Sequence, residues 1–173
     1  MKTKLIPLLL TLVLLLCGCS TDAAPAAPAA QTFSNAGMNI TLTESFFEKE
    51  HVAYTMCYTS DEIAVFTLRE EYSLFDNTDF SSASTLEEYA GLVWNANQFS
   101  GNVPLVVDGD LKYFEYDFSS NGNLYTYRTY VFKDAEGFWL VQFACFTARY
   151  EALQYTIHGY AASVSFDNPY IAP

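Results

Sequence analysis

The stretch from residue 103 to residue 146 constrains the fold most, because three short turns connect four β-rich runs. Each of the turns (108–110, 119–123 and 134–137) contains a glycine with polar neighbours, which is typical of hairpin connections. Strands joined by links this short must be antiparallel. The sequence therefore predicts a four-stranded meander, and its strands are 103–107, 111–118, 124–133 and 138–146.

Bulky side chains occupy successive positions within these runs, as in Tyr113-Phe114 and Tyr130-Val131. An antiparallel sheet with one solvated face alternates apolar and polar residues more regularly. We therefore expect both faces of the sheet to be covered, at least in part, by helices and loops.

Two segments have the spacing of amphipathic helices. Ser84 and Glu87 form a capping-box pattern ahead of apolar residues at helical intervals, which predicts a helix over residues 85–98. Thr147 can cap a second helix that extends to about Val164.

Strands at 38–42, 51–58 and 62–69 precede the first helix, and residues 59–61 form a turn between the last two. The fold class is therefore α+β, with an antiparallel sheet of about six or seven strands and two main helices packed on it. We expect one domain over residues 32–167 and a C-terminal tail over 168–173.

The order of these elements, together with the Gly-Met-x-Ile-x-Leu strand at residues 37–42, resembles the PsbP-like group. That group includes the extrinsic photosystem II protein, Ran-binding proteins of the Mog family and bacterial DcrB-like lipoproteins. The resemblance implies a layered sandwich and a role in binding or stabilising other proteins. It assigns no role to individual residues.

The N-terminus has the layout of a secretory signal peptide over residues 1–18. Lys2 and Lys4 precede an apolar run over residues 5–16, which is too short to span a bilayer. The segment Leu16–Cys19 resembles the bacterial lipobox, which implies cleavage before Cys19 and lipid on its thiol. The alternatives are a plain signal peptide, which more often ends in Ala-x-Ala, and an uncleaved anchor, which needs about 20 apolar residues.

Residues 19–31 continue as an Ala/Pro-rich tether that begins at the lipidated cysteine. Two acyl chains suffice for stable anchoring. We therefore expect a protein attached through Cys19 to the extracytoplasmic side of the cell membrane, or to an outer membrane if the cell has one.

The chain is strongly acidic. Removal of residues 1–18 takes away Lys2 and Lys4 and no acid, and it changes the formal net charge from −12 to −14. This charge argues against nucleic acid as a partner, because phosphates require a basic surface. Solubility and separation from anionic lipid are the plain interpretation of the charge, and a metal or a cationic partner is the alternative.

Cys57 and Cys145 remain in apolar runs. Outside the cytoplasm they can form a disulfide, or each can be a small buried side chain. No cofactor or metal site is predicted, because the cysteines lack matching histidines and the paired aspartates are explained by turn chemistry.

The two histidines, His51 and His158, have no nucleophile motif to accompany them. We therefore expect no enzymatic activity. Among the 13 tyrosines, Tyr113, Tyr125 and Tyr127 suggest a binding surface, with ordinary sheet packing as the alternative. The predicted function is binding of a cell-envelope protein; an envelope enzyme or a small-ligand-binding lipoprotein is the alternative.

Overall fold

The computed structural model describes residues 28–76 and 78–171 of the 173-residue chain. The predicted signal peptide, the lipobox at 16–19 and most of the tether lie outside the described residues. Within these bounds, no helix has the length and apolar character needed to cross a membrane.

The described chain contains ten strands, two α-helices and one 3₁₀ turn (Tyr72–Phe75). The helices are α1 (Leu86–Ala96) and α2 (Thr147–Ala162). The strands are β1 (Ala30–Asn35), β2 (Met38–Thr43), β3 (Phe47–Glu48), β4 (Met56–Thr59), β5 (Ala64–Glu71), β6 (Val106–Asp108), β7 (Leu111–Ser120), β8 (Asn123–Lys133), β9 (Gly137–Phe146) and β10 (Ser165–Phe166).

The strands form two antiparallel sheets. The larger one has seven strands in the order β3-β4-β5-β9-β8-β7-β6, and the smaller has the order β1-β2-β10. The strand pairs of the larger sheet are all antiparallel. The α+β class with two helices on an antiparallel sheet is thereby confirmed, and the predicted meander corresponds to β6–β9.

Two apolar clusters hold the layers together on opposite faces of the large sheet. On the face that we call the back, α2 and the small sheet pack against residues such as Tyr130 and Phe143. On the front face, α1 packs against Phe114, Val131 and Phe138. Strands β5, β7, β8 and β9 therefore contribute large side chains to both faces, which explains why apolar residues occupy successive positions in them.

The N-terminus of α1 lies one residue later than predicted. Thr85, not Ser84, is the N-cap, and its hydroxyl accepts a hydrogen bond from the Glu88 amide at 3.2 Å. The Glu88 carboxylate accepts from the Thr85 amide at 2.7 Å, which completes the capping box. Ser84 instead accepts from the Ser81 amide in the preceding turn.

The turn between β8 and β9 is held by a buried carboxylate. Asp134 accepts hydrogen bonds from the amides of Glu136 and Gly137, each at 2.7 Å, and from the Trp139 indole at 2.8 Å. A Cβ atom at Gly137 would lie 2.5 Å from the Glu70 carbonyl oxygen. Glycine at this position lets β9 approach β5 closely.

Several predicted boundaries are wrong. Strand β4 begins at Met56 and not at residue 51, because residues 51–55 form a turn in which the Ala53 amide donates to His51 Nδ1. Strand β6 is shifted to Val106–Asp108. Helix α2 has Phe146 as its N-cap, without a side-chain hydrogen bond, so Thr147 does not cap it.

The domain also extends beyond its predicted bounds of 32 and 167. Strand β1 begins at Ala30, within the predicted tether, and pairs with β2 through a turn with positive φ at Ala36 (+51°) and Gly37 (+86°). At the other end, Asp134 forms a β-bridge with Pro169. Part of the predicted tail therefore pairs with the sheet.

Candidate functional site

Helix α1 covers only part of the front face. Its apolar side chains reach Phe114, Val131, Phe138 and Leu140. Beyond them the front face continues over the other ends of β4, β5, β7, β8 and β9, where aromatic side chains remain half-buried or exposed. Phe47, Phe118 and Phe146 keep 53%, 53% and 45% of their surface exposed.

These side chains form one continuous depression, which we call the aromatic groove. It consists of two adjoining cavities that share Tyr127, and the ring of Tyr54 in one lies 4.9 Å from that of Phe66 in the other. The nine rings of the groove are Phe47, Tyr54, Phe66, Phe99, Tyr116, Phe118, Tyr125, Tyr127 and Phe146.

The wide end of the groove has a volume of about 400 Å³ and lies at the β4–β5 turn. The rings of Tyr125 and Phe146 stack 5.0 Å apart along one side of it. Lys49, Asp61 and Glu62 supply charged groups at its margin. This end combines apolar surface with positively and negatively charged groups at its margin, as protein-binding surfaces do.

The narrow end has a volume of about 240 Å³ and is lined by Asn97 and five rings. Tyr116 and Tyr127 stack with centroids 5.0 Å apart and planes 5° from parallel. Phe99 lies 4.7 Å from Tyr116, and Phe118 lies edge-on to Tyr127 at 6.4 Å. Tyr54 completes the set.

Strand register positions these rings. Tyr116 pairs with Tyr127, and Phe118 pairs with Tyr125, so that directly opposed residues point to the same face. On β9, the pairing of Tyr125 with Phe146 continues the row. Three neighbouring strands therefore build the groove floor.

The tyrosines of the narrow end stay protonated at neutral pH. Burial raises the pKa of Tyr116 to about 12, with a further contribution from the phenols of Tyr127 and Tyr54. Burial also raises the pKa of Tyr54 and of Tyr127. The Tyr116 hydroxyl accepts a hydrogen bond from Gln142 at 3.2 Å. These groups can donate and accept hydrogen bonds, but they are poorly suited to act as bases.

A second polar cluster, on the back face, is structural. Arg128 Nε and Nη2 contact the Glu115 carboxylate at 2.7 and 2.6 Å, and the Tyr150 hydroxyl donates to the same carboxylate. The guanidinium lies over the Tyr113 ring, at 4.6 Å, and over the Tyr150 ring. Burial lowers the Arg128 pKa, but hydrogen bonds with Tyr130 and Glu115 outweigh it and raise that pKa overall. The cluster connects α2 to β7 and β8.

His158 lies beside this cluster. Its Nδ1 is 3.3 Å from the Tyr130 hydroxyl, and its Nε2 is 3.8 Å from Asp108. Tyr130 has no exposed surface, and burial raises its pKa to about 12. This histidine, acid and hydroxyl therefore do not present a nucleophile to a substrate. His51 is exposed on the loop before β4.

Two of the three predicted surface tyrosines lie in the aromatic groove, and the third does not. Tyr125 and Tyr127 line the aromatic groove. Tyr113 does not, because it pairs with Tyr130 and shares the back face with Arg128. Sequence reasoning missed the other seven rings of the groove. A shared sheet face could have been inferred for two of them, because Phe118 lies two positions from Tyr116 and Phe146 lies two positions from Ala144.

Cys57 and Cys145 are free, buried thiols, so the disulfide considered for them is not formed. Cys57 pairs with Phe66 on the front face, whereas Cys145 belongs to the back-face core. Strand β5 also separates their strands, and strands are spaced 4.7–4.9 Å apart. Burial raises the pKa of both thiols. Among the residues that the structure describes, no three His, Cys, Asp or Glu side chains lie close enough to hold a metal ion.

Comparison with known proteins gives matches in structure only. No family model matches the sequence, and no curated protein matches it. Among solved structures, it is similar to the cyanobacterial PsbP (CyanoP) of Synechocystis sp. PCC 6803, with a TM-score of 0.49 and 9% identity over 86% of this chain and 98% of that one.

Two further solved structures are similar at 12% identity. A protein of Bacteroides thetaiotaomicron VPI-5482 has a TM-score of 0.49 over 80% of this chain, which spans about half (48%) of that protein. LpqN of Mycobacterium tuberculosis, described as involved in cell envelope biogenesis, has a TM-score of 0.46 over 82% of this chain and 91% of that one.

Proposed function

We propose that this chain is a lipid-anchored accessory protein of the bacterial cell envelope that binds a protein partner in its aromatic groove and performs no chemistry of its own. The observation that supports this proposal is the uncovered row of aromatic rings on the front face. Monomeric proteins rarely expose contiguous apolar patches larger than roughly a few hundred Å², and such patches commonly serve as interaction sites.

The side chains of the groove suit protein recognition. Tyrosine and phenylalanine are enriched at interfaces because a rigid ring buries a large area at a small cost in conformational entropy. Tyrosine hydroxyls add hydrogen bonds where the ligand is polar. The groove is also elongated, since its two cavities adjoin through Tyr127, and this shape accommodates an extended segment of a partner.

The groove offers little for catalysis. The titratable groups at the narrow end are phenols whose pKa is raised by burial. At the wide end, Lys49, Asp61 and Glu62 stand at an open margin. Cys145 also lines this end, but its thiol is buried and burial raises its pKa, which makes it a poor nucleophile. An enzyme would instead be expected to present convergent groups with matched pKa values.

The lipid anchor is proposed from Cys19 and the lipobox pattern that precedes it. Mass spectrometry of the mature N-terminus tests it. We expect a first residue of Cys19 that carries a diacylglyceryl group, and loss of membrane attachment in Cys19→Ala. An unmodified peptide that begins at any other residue would overturn the anchor without affecting the groove.

Site-specific photo-cross-linking in intact cells tests the groove. A photoreactive phenylalanine analogue is placed at position 146 in the groove, or at position 155, where Tyr155 is 83% exposed on α2. We expect one defined protein adduct from position 146 that is absent from position 155. The partner is then purified and its affinity for this protein is measured.

Two matched variants complete the test. Phe118→Ser combined with Phe146→Ser changes two exposed groove residues, while Leu74→Ser combined with Tyr155→Ser changes two exposed residues elsewhere. We expect the first pair to weaken partner binding at least tenfold and the second to leave it unchanged. Equal affinity for all three proteins would contradict the proposed function.

A further inference from the structure

We propose that the narrow end of the aromatic groove binds the ammonium group of a lysine side chain on the protein partner. This inference rests on the proposed function and specifies what one part of the groove recognises. It follows from the arrangement of rings at the narrow end, from the charge of the chain and from the placement of the chain's own cations.

The first argument is geometric. Tyr116 and Tyr127 form a stacked pair, Phe99 tilts toward Tyr116 at 4.7 Å, and Phe118 lies edge-on to Tyr127. With Tyr54, five rings line a cavity of about 240 Å³. A cation within about 6 Å of a ring centroid is attracted by the negative face of the ring, and several rings act together.

The second argument is the position of the chain's own cations. Residues 28–171 contain six lysines and arginines, and four of them lie over aromatic rings. Lys133 Nζ is 3.9 Å from the Tyr170 centroid, and Arg128 is 4.6 Å from that of Tyr113. Lys49 and Arg69 lie over Phe47 and Trp139. Among the described residues, none of these cations lies over a ring of the narrow end or lines it.

The third argument is electrostatic complementarity. The whole chain has a formal net charge of −12, so its field attracts cations and repels anions. The partner that suits this chain is therefore basic in the segment that enters the groove. An apolar side chain would bury surface against the rings, but it would gain no electrostatic attraction from the negative charge of the chain.

The residues of the narrow end favour lysine over arginine. The planar guanidinium of arginine is best recognised by a carboxylate that accepts two hydrogen bonds. Within the described chain, no carboxylate lines this cavity; its polar groups are the tyrosine hydroxyls and the Asn97 amide. A compact ammonium with three donors can use such separate oxygen acceptors, while its thin aliphatic stem lies along the rings.

The test compares a cationic and a neutral probe on the purified full-length protein. The probes are Nα-acetyl-lysine methylamide and Nα-acetyl-norleucine methylamide, which differ in the ammonium group. Binding is followed by the chemical shifts of the aromatic ring protons. We expect the lysine probe to bind about tenfold more tightly, with shifts confined to the narrow end.

Two matched variants locate the site. Phe118→Leu removes a ring from the narrow end, and Phe146→Leu removes a similarly exposed ring from the wide end. We expect Phe118→Leu to weaken the lysine probe about threefold to fivefold and Phe146→Leu to leave its affinity unchanged. Phe118 is 53% exposed, so its truncation leaves the core intact.

A third pair of probes separates a lysine side chain from a free solute. Choline and its neutral analogue 3,3-dimethylbutan-1-ol are titrated in the same way. Binding of choline without binding of the lysine probe would overturn the inference in favour of a site for small organic cations. Equal affinity for the lysine and norleucine probes would also overturn it.

These outcomes are distinct from failure of the proposed function. The binding of a partner could depend on Phe146 and yet be unaffected by Phe118→Leu and by replacement of the partner's own lysines. That result would refute the lysine site but would keep the groove as a binding site. A partner whose affinity is unchanged by loss of both phenylalanines would refute the groove itself.

Discussion

Tyr116 and Tyr127 stack ring on ring across β7 and β8, with centroids 5.0 Å apart and planes 5° from parallel. They are directly paired in the strand register, so the backbone of two central strands holds them in place. The pair lies at the narrow end of the aromatic groove, and Tyr127 also reaches the wide end. A ligand therefore meets a preformed surface, which reduces the entropy lost on binding.

Stability is expected to fall as the pH rises from 10 to 12. Burial is the main cause that raises the pKa values of four tyrosines in the folded protein to about 12: Tyr58, Tyr72, Tyr116 and Tyr130. In the unfolded chain tyrosine titrates near 10. Between these values the unfolded chain has released protons that the folded protein retains, so this contribution is present below pH 10 and is lost as the pH passes 12.

Ultraviolet absorbance of tyrosinate and urea denaturation at a series of pH values measure this effect. Tyr58→Phe removes one of the four phenols and should reduce the slope of stability against pH. Titration of all four groups near pH 10 in the folded protein would contradict the prediction.

Gly137→Ala is expected to destabilise the protein by about 1–3 kcal/mol. The added Cβ would lie 2.5 Å from the Glu70 carbonyl oxygen and 3.0 Å from the Glu71 Cα, so it would collide with backbone. Gly159→Ala is the matched control, because nothing lies within 4 Å of a Cβ there and the position is inside α2. It should stabilise by about 0.5–1 kcal/mol. Thermal denaturation measures both, and equal effects would refute the close approach.

Thr85→Ala is expected to cost about 1 kcal/mol of folding free energy, since the Glu88 amide loses its acceptor. Ser84→Ala distinguishes the observed cap from the one that the sequence suggested. It removes a hydrogen bond in the preceding turn, so its cost should be smaller. Denaturant titration of both variants measures the two losses of folding free energy. A larger loss for Ser84→Ala than for Thr85→Ala would place the cap at Ser84.

Arg128→Met is expected to destabilise the protein by about 2 kcal/mol. The change leaves the Glu115 carboxylate without its cation, and the partial exposure of Glu115 reduces the penalty below that of a fully buried pair. Arg149→Met breaks the exposed pair with Glu62 and should change stability by less than about 0.5 kcal/mol. Equal free energies of unfolding for the two variants would show that the Arg128 cluster stabilises the protein no more than the exposed Arg149–Glu62 pair does.

The meander could be predicted from sequence because its turns are determined locally. The three hairpin links contain glycines, and β-rich runs lie between them, so the pattern is set within a few residues. Helix α2 was predictable for the same reason, because its helical spacing is also a local pattern. The cap of α1 shows where the local sequence is ambiguous, because two neighbouring positions fit the same pattern. Ser84 with Glu87 and Thr85 with Glu88 both satisfy the capping box, and the packing of Tyr89 and Val93 on the sheet selects the second.

Strand β1 could not be predicted, since Phe33 is the one large apolar residue among its six. Its conformation depends on pairing with β2. The groove depends on tertiary structure in the same way. Placing Tyr125 and Tyr113 on opposite faces requires the strand register, and the uncovered area depends on where α1 ends.

The β4–β5 turn, residues 60–63, separates two depressions. On one side it borders the wide end of the groove, and on the other it borders a cavity that includes Pro28, where the described chain begins. The anchor proposed at Cys19 would therefore hold the protein next to its groove and not at the opposite pole. Under that proposal, a partner embedded in or lying on the same membrane would encounter the groove at high local concentration.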